Sequence, residues 1–315
     1  MVRHDSRKSA LGMRRSIFYT GLFFLLLLTV PVHMVLGRLC GPPAVPDDPQ
    51  RIVSLAPGVT ETLFALGLGP KVVGVTLFCE FPPEVASIPR VAGFSDVNFE
   101  AVVRARPDLV ALPIDKTATK EQLERLGIPV ITLDTRSLSG LMASIASLGK
   151  ATGHQAQADA VRAAFQTAFD AARGRAEGKP RPRMLFSVMH AYQGLGYITE
   201  IHAIGRDGFF NELIGAAGGV NAYQGDLAFP QLSRESLFFL NPDVIVDVIP
   251  ANEDLEAVRR DWESLKSVKA IRDNRLYLLT DNANTVPGPR SAQTLARLSH
   301  ALHPDEPAVG ERILR

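Results

Sequence analysis

Two aromatics, two glutamates and two Pro-Asp pairs recur in this chain at matched spacing. FSDVNFEAVVRARPDLVAL begins at Phe94, and FPQLSRESLFFLNPDVIVD begins at Phe229. Each copy places a glutamate six residues after its aromatic, and Pro-Asp seven residues after that. The two sets are Phe94, Glu100, Pro107, Asp108 and Phe229, Glu235, Pro242, Asp243. Two matched units in one chain imply two similar lobes facing each other. A cleft between them, with an aromatic from each, suits a flat apolar ligand. Read alone, either phenylalanine is more often a core residue than a cleft contact. Each glutamate falls second in a helix after a good N-cap, Asn98 or Ser233, where an acid also favours the helix dipole.

Templates for catalysis and metal binding fail. The chain has no Gly-x-Ser-x-Gly elbow, no Walker loop, no Gly-x-Gly-x-x-Gly after a strand and no His-Glu-x-x-His helix. Its seven histidines are scattered, too thinly for a His-rich metal site. No catalytic residue, catalytic cofactor or resident metal is expected, and the chain is not read as an enzyme.

The elements that would position the repeated residues alternate between strand and helix. Strands are expected at 51–55, 71–75, 108–112 and 130–133, with helices at 60–68, 99–106 and 120–126. The second half repeats the theme, with strands at 183–188, 244–248 and 275–279. Its helices are expected at 209–214, 234–239, 255–264 and 291–302. Such alternation implies mostly parallel sheets with helical crossovers. Between the halves, 155–173 carries Val161, Phe165 and Phe169 on one helical stripe. About 20 helical residues span ~30 Å, enough to bridge two lobes as a stiff backbone. The fold expected is α/β: two α/β lobes with mostly parallel sheets, joined by a single long backbone helix. The boundaries are an N-terminal lobe at 51–136, a helical connector at 137–179 and a C-terminal lobe at 180–315.

The N-terminus speaks to compartment. Arg3, Arg7, Lys8, Arg14 and Arg15 precede an apolar run from Ile17 to Val30, and Val35-Leu36-Gly37 ends in a small residue. Residues 1–37 therefore read as a signal peptide exporting the body to the periplasm. An uncleaved membrane anchor through 17–37 is the competing reading, and Cys40 admits a lipoprotein. Pro42, Pro43, Pro46 and Pro49 make 38–50 a stiff tether. Without residues 1–37 the chain has 29 basic and 32 acidic side chains. Such a body has no positive excess with which to hold nucleic acid.

RIVSLAPGVTETLFALGLGPKVVGVTLFCEFPPEV, from Arg51, resembles the opening of the helical-backbone (class III) periplasmic substrate-binding proteins of ABC importers. It is most similar to their cobalamin-binding branch, and the similarity extends through Val286-Pro-Gly-Pro-Arg290 to about Pro304. The resemblance implies a monomeric, non-enzymatic binder whose lobes move little. It captures a corrinoid such as cobalamin and hands it to a permease with its ATPase. By the same resemblance, Phe78, Phe94 and Phe229 line the cleft, and Glu100 and Glu235 dock onto the permease. Phe replaces the Trp or Tyr common in that branch, which leaves the amide rim of a corrin to other groups. Cys79, in the cleft loop, is either a thiolate ligand or a small packing residue. His202 falls near a family cleft contact and is otherwise an ordinary surface histidine. Arg290 either reaches the cleft or pairs with a carboxylate. A ferric-siderophore or haem carrier on the same fold, and a membrane-tethered sensor without transport, are the alternative readings.

Overall fold

The computed structural model describes residues 41–305 apart from 94–95, 191–195, 207 and 251. The expected export segment, Cys40 and Phe94 lie outside the described residues. From Val45 onward the described residues form one compact unit. Among the described residues no helix is long and apolar enough to cross a membrane.

The first half builds a five-stranded parallel sheet from β1 (Ile52–Ser54), β2 (Val72–Thr76), β3 (Arg90–Ala92), β4 (Leu109–Pro113) and β5 (Val130–Leu133). Its spatial order is β3-β2-β1-β4-β5. The central strands are apolar on both faces, as a sheet covered by helices on either side requires. Leu109 to Leu112 are all fully buried. Helices α1 (Pro57–Ala65), α2 (Phe99–Arg104) and α3 (Thr117–Arg125) supply crossovers. The strand order reverses between β1 and β4, the place where open α/β sheets bind ligands at their strand carboxyl ends.

Two helices follow, α4 (Leu138–Ala151) and α5 (Gln155–Ala176). The 22 residues of α5 run about 33 Å. Its expected stripe is inward: Phe165 is buried, and Val161 and Phe169 pack on the same core. One apolar cluster includes Ile52 and Leu109 of the first sheet, Phe165 of α5, and Phe186 and Val246 of the second sheet. The backbone helix is thus part of a shared core.

The second sheet comprises β6 (Arg183–His190), β7 (Glu200–Ala203), β8 (Val220–Asn221), β9 (Gln231–Ser233), β10 (Val244–Val248) and β11 (Leu276–Leu279). Its order is β11-β10-β6-β7-β9, with β8 beside β6. The strands β6, β10 and β11 are parallel, while β7 runs antiparallel to β6 and to β9. Helices α6 (Phe209–Ala216), α7 (Arg234–Leu240), α8 (Leu255–Glu263), α9 (Lys269–Arg272) and α10 (Ser291–Leu302) complete the lobe. The short strands β3, β7, β8 and β9 are the additions to the sequence expectation. With only two to four residues each, they lack enough length for a periodic signal.

The recurring Pro-Asp has a structural cause. Asp108 accepts hydrogen bonds from the backbone N–H groups of Gln50 and Arg51, at 2.7 and 2.9 Å. The Arg51 side chain in turn donates to the carbonyls of Ala105 and Arg106, at the end of α2. In the second lobe Asp243 accepts from the Arg183 N–H at 2.7 Å, and the Arg183 side chain donates to the Leu240 carbonyl at the end of α7. An arginine opening the first strand of each lobe and an aspartate opening a neighbouring strand clasp each other. The orphan carbonyls of the intervening helix are satisfied at the same time. Arg106 and Asn241, each just before the proline, reverse the chain at φ +46° and +42°.

Across the lobes, the Arg290 guanidinium grips Glu61 of α1 with two bonds, Nε to Oε2 at 3.0 Å and Nη2 to Oε1 at 2.5 Å. Its other donors reach Asp281 and Asn282, both at 3.0 Å. The Phe81 ring lies 4.0 Å from the guanidinium carbon. Burial raises the Glu61 carboxyl above the ordinary glutamate range against the pull of Arg290. Burial alone would lower the Arg290 guanidinium, but its bonds to Glu61 and the charges of Glu61 and Asp281 hold it up. Beside this pair, a Cβ on Gly58 would come 2.0 Å from the Pro287 carbonyl oxygen. Only glycine allows so close an approach. A second cross-connection is the Leu138 N–H at the head of α4, which donates to Glu212 of α6 at 2.8 Å.

Two outcomes follow for stability. An L-residue in the left-handed region carries a cost of roughly 1 kcal/mol, so Arg106→Gly should stabilise the protein by about that amount in denaturant titrations. Because the raised Glu61 carboxyl makes ionisation costly to the fold, its contribution is greatest when protonated and falls as pH rises through its raised value. Glu61→Gln should therefore lower stability at neutral pH by less than about 1 kcal/mol. Glu61→Ala strands the guanidinium beside a void and should cost about 3 kcal/mol. Equal losses in the two variants would refute this account.

Candidate binding cleft

Parallel strands send their carboxyl ends to one edge of each sheet, and loops from both edges meet. Glu80, in the loop after β2, accepts a 2.6 Å hydrogen bond from the Asn282 side chain, in the loop after β11. A hollow of about 570 Å³ adjoins this contact. It is lined by Glu80 from one lobe and by Val188, Val248, Ile249, Pro250, Asn252, Thr280, Asp281, Asn282 and Thr285 from the other. Apart from Glu80 these residues follow or end β6, β10 and β11.

The sequence-derived candidates distribute unevenly around it. Phe78 lies in the Glu80 loop with about half its surface exposed, next to exposed Leu77. Ile114, just past β4 on the same edge, is exposed too. These three leave an apolar face uncovered at the carboxyl edge of the first sheet. Phe229 is 63% exposed, in the segment entering β9. Its neighbours Ala228 and Pro230 accept from the N–H groups of Gly205 and Ala203, which fixes it beside the antiparallel edge of the second sheet. His202 sits on β7 between Met189 and Gln231 and is half-buried.

Two expectations are corrected. The Cys79 thiol is not a surface ligand: it is fully buried and shares hydrogen bonds with the hydroxyls of Thr60 and Thr76, both at 3.1 Å. Its small volume suits the turn beneath the loop, where Arg90 also donates to its carbonyl. Arg290 does not present a free cation to the cleft, because Glu61 and Asp281 occupy its donors. Of the proposed contacts that are described, Phe78, Cys79, His202, Phe229 and Arg290, none is among the residues lining the hollow. Glu80 was inside the Leu-Phe-Cys-Glu loop, and only its bond to Asn282 singles it out. Asp281 and Asn282 lie in a plain polar run whose one signal is its place directly after a strand.

Electrostatics adds a property that spacing does not show. The segments following β1 to β6, β10 and β11 are 55–57, 77–82, 93–98, 113–117, 133–137, 189–200, 249–254 and 280–290. They carry eight carboxylates: Glu80, Asp96, Asp115, Asp134, Glu200, Glu253, Asp254 and Asp281. Against these stand Lys116, Arg136 and Arg290. Arg136 is already bound to Asp134 by two bonds of 2.9 Å, which hold the Asp134 carboxyl below the ordinary range. The cleft edge is acidic, and its two arginines are engaged with carboxylates.

Glu100 and Glu235 stand where expected, second in α2 and α7. Asn98 accepts from the Ala101 N–H and Ser233 from the Ser236 N–H, so both caps form. Both glutamates are exposed, but their partners differ. Arg104 pairs with Glu100 at 2.7 Å, whereas Glu235 accepts from the Ser233 hydroxyl at 2.8 Å, which holds its carboxyl below the usual range.

Known proteins share both sequence and architecture with this chain. The periplasmic binding protein family pattern matches residues 52–283. An uncharacterized ABC transporter substrate-binding lipoprotein of Bacillus subtilis, YvrC, is 30% identical over 269 residues, 83% of this chain and 82% of that protein. A cobalamin-binding protein of Halobacterium salinarum is 31% identical over 275 residues, 82% of this chain and 70% of that one. Among solved structures, a periplasmic heme-binding protein of Pseudomonas aeruginosa superposes with a TM-score of 0.68 at 26% identity, covering 83% of this chain and 95% of that one. The vitamin B12 binding protein BtuF of Vibrio cholerae shares the fold, with a TM-score of 0.67 at 22% identity over 81% of this chain and 96% of its own. Two facing α/β sheets on one backbone helix and a family pattern over most of the chain lead to one conclusion: the chain belongs to the periplasmic binding protein family, as a solute-binding protein of an ABC transporter.

Proposed function

We propose that this protein is exported by residues 1–37 and captures a corrinoid in the interlobe cleft, delivering it to a membrane permease with its ATPase. The acidic cleft edge is the observation that carries the choice of cargo. Haem brings two propionates and most ferric siderophores are anionic chelates. Each such anion would meet an excess of carboxylates, several of them already paired, at a cost of about 1 kcal/mol for each close unpaired one. Cyanocobalamin is neutral overall, with an apolar corrin face and an amide rim. Phe78 and Leu77 offer apolar cover to that face, each worth roughly 1.5–3 kcal/mol when buried. Glu80, Asn252, Asp281 and Asn282 offer acceptors and donors to the amides. Phe94 and Phe229 are the proposed aromatic contacts from the repeat, and His202 is a proposed rim contact. The haem-binding relatives favour a second reading, an iron-chelate carrier. That reading requires the cleft to supply cations that Glu61, Asp134 and Asp281 now neutralise.

Delivery uses the two exposed glutamates, one per lobe, as docking points on arginines of the permease. The exposed Glu80–Asn282 bond is then the connection that opens as the lobes are drawn apart, and the buried Glu61–Arg290 pair is the pivot that holds.

Calorimetry of the 38–315 body should show one-to-one binding of cyanocobalamin at micromolar affinity or tighter, and weaker binding of haemin. Phe229→Ala should weaken corrinoid binding about tenfold without unfolding the protein, and Glu80→Lys should improve haemin binding relative to corrinoid. Haemin binding tighter than corrinoid in the unmodified protein would transfer the cargo to the second reading. In cells, Glu100→Arg combined with Glu235→Arg should leave ligand binding intact and abolish uptake; normal uptake would remove the docking role.

A further inference from the structure

We propose that the lobes dock unequally: the C-terminal lobe adds an apolar anchor, Phe239 with the groove beside α7, to the Glu235 carboxylate, and the permease fills it. This rests on the docking role assigned above to the two glutamates. The repeat makes the comparison direct, because α2 and α7 align residue for residue from their N-caps to their Pro-Asp. Four residues after Glu100 stands Arg104, which pairs with it at 2.7 Å. Four residues after Glu235 stands Phe239, on the same helix face. Phe239 is 90% exposed, the most exposed of the large apolar side chains among the described residues.

The same face borders a groove of about 670 Å³ lined by Tyr223, Leu232, Leu240, Phe239 and Glu235, among others. Single exposed apolar residues are ordinary, but a phenylalanine beside an open apolar groove and a carboxylate held only by a serine hydroxyl forms a patch. Among the described residues no Lys or Arg pairs with Glu235. Its neighbour Arg234 is turned away, bonded to Ser264 and stacked over Phe238. The groove is therefore continuous with the Glu235 carboxylate, and the acidic cleft edge calls for a basic partner face. The complementary partner segment carries an arginine beside a large apolar side chain. At the N-terminal lobe the partner must instead displace Arg104 from Glu100, so that contact contributes less.

The test is binding of the purified protein, without cargo, to its cognate permease–ATPase complex in lipid nanodiscs. Phe239→Ser should weaken binding about tenfold or more, the low end for losing a buried phenylalanine contact. Phe239→Arg, which copies the N-terminal lobe's arrangement, should weaken it further. Arg104→Ala should tighten it. Ligand binding measured by calorimetry should be unchanged in all three, since these side chains lie outside the cleft. Wild-type binding by Phe239→Ser together with weak binding by Glu235→Arg would overturn the anchor and leave the docking role standing. Wild-type binding by both would overturn the docking role itself. Loss of binding to protein-free nanodiscs in Phe239→Ser would assign the residue to lipid and overturn the proposal.

Discussion

Glu61 sits on the first helix of one lobe and Arg290 at the head of the last helix of the other, and their two parallel hydrogen bonds fix how the lobes face each other. A buried pair of this kind adds little net stability, since desolvation offsets most of its attraction. Its consequence is geometric. A planar fork against a planar carboxylate tolerates one orientation. Asp281 and Asn282 are drawn to the guanidinium as well, and Asn282 reaches on to Glu80 at the cleft. One chain of contacts thus runs from the pivot to the edge of the ligand hollow.

Much of the fold was legible because the repeat encodes it twice. The paired Asp108 and Asp243 are spaced alike because each must meet the arginine that opens its lobe. The long helix was legible because its stripe of Val161, Phe165 and Phe169 must face a core extending into both lobes. The short strands β7 and β9 were not legible: they pair antiparallel at a sheet edge, where contacts with β6 decide their conformation more than local pattern does. At the site, the loop from Leu77 to Pro82 was found, but the role of each residue was not. Cys79 turned inward because the loop's polar satisfaction needs Thr60 and Thr76. Arg290 turned away from the cleft because a carboxylate 229 residues earlier in the chain was waiting for it. Such partners are tertiary facts that no spacing reveals.

The charge pattern gives the molecule a direction. Carboxylates crowd the strand carboxyl ends, while Lys179, Arg181, Lys269 and Arg275 gather with two aspartates at the opposite end of the second sheet. Arg181 and Arg275 there donate to backbone carbonyls. Such a separation of charge would turn the cleft edge toward a basic surface of the kind the proposed docking calls for, before any specific contact forms.

Gly58 and the Pro287 carbonyl meet so closely that the seam between lobes has no slack. Together with a single stiff helix behind it, this close approach would resist a hinge motion that shrinks the molecule around its cargo. Small-angle scattering curves with and without ligand would then nearly coincide, and a sensor built on a change of distance between labelled lobes would stay silent. A dye placed at Phe78, reporting local polarity, is the design that such a scaffold suits.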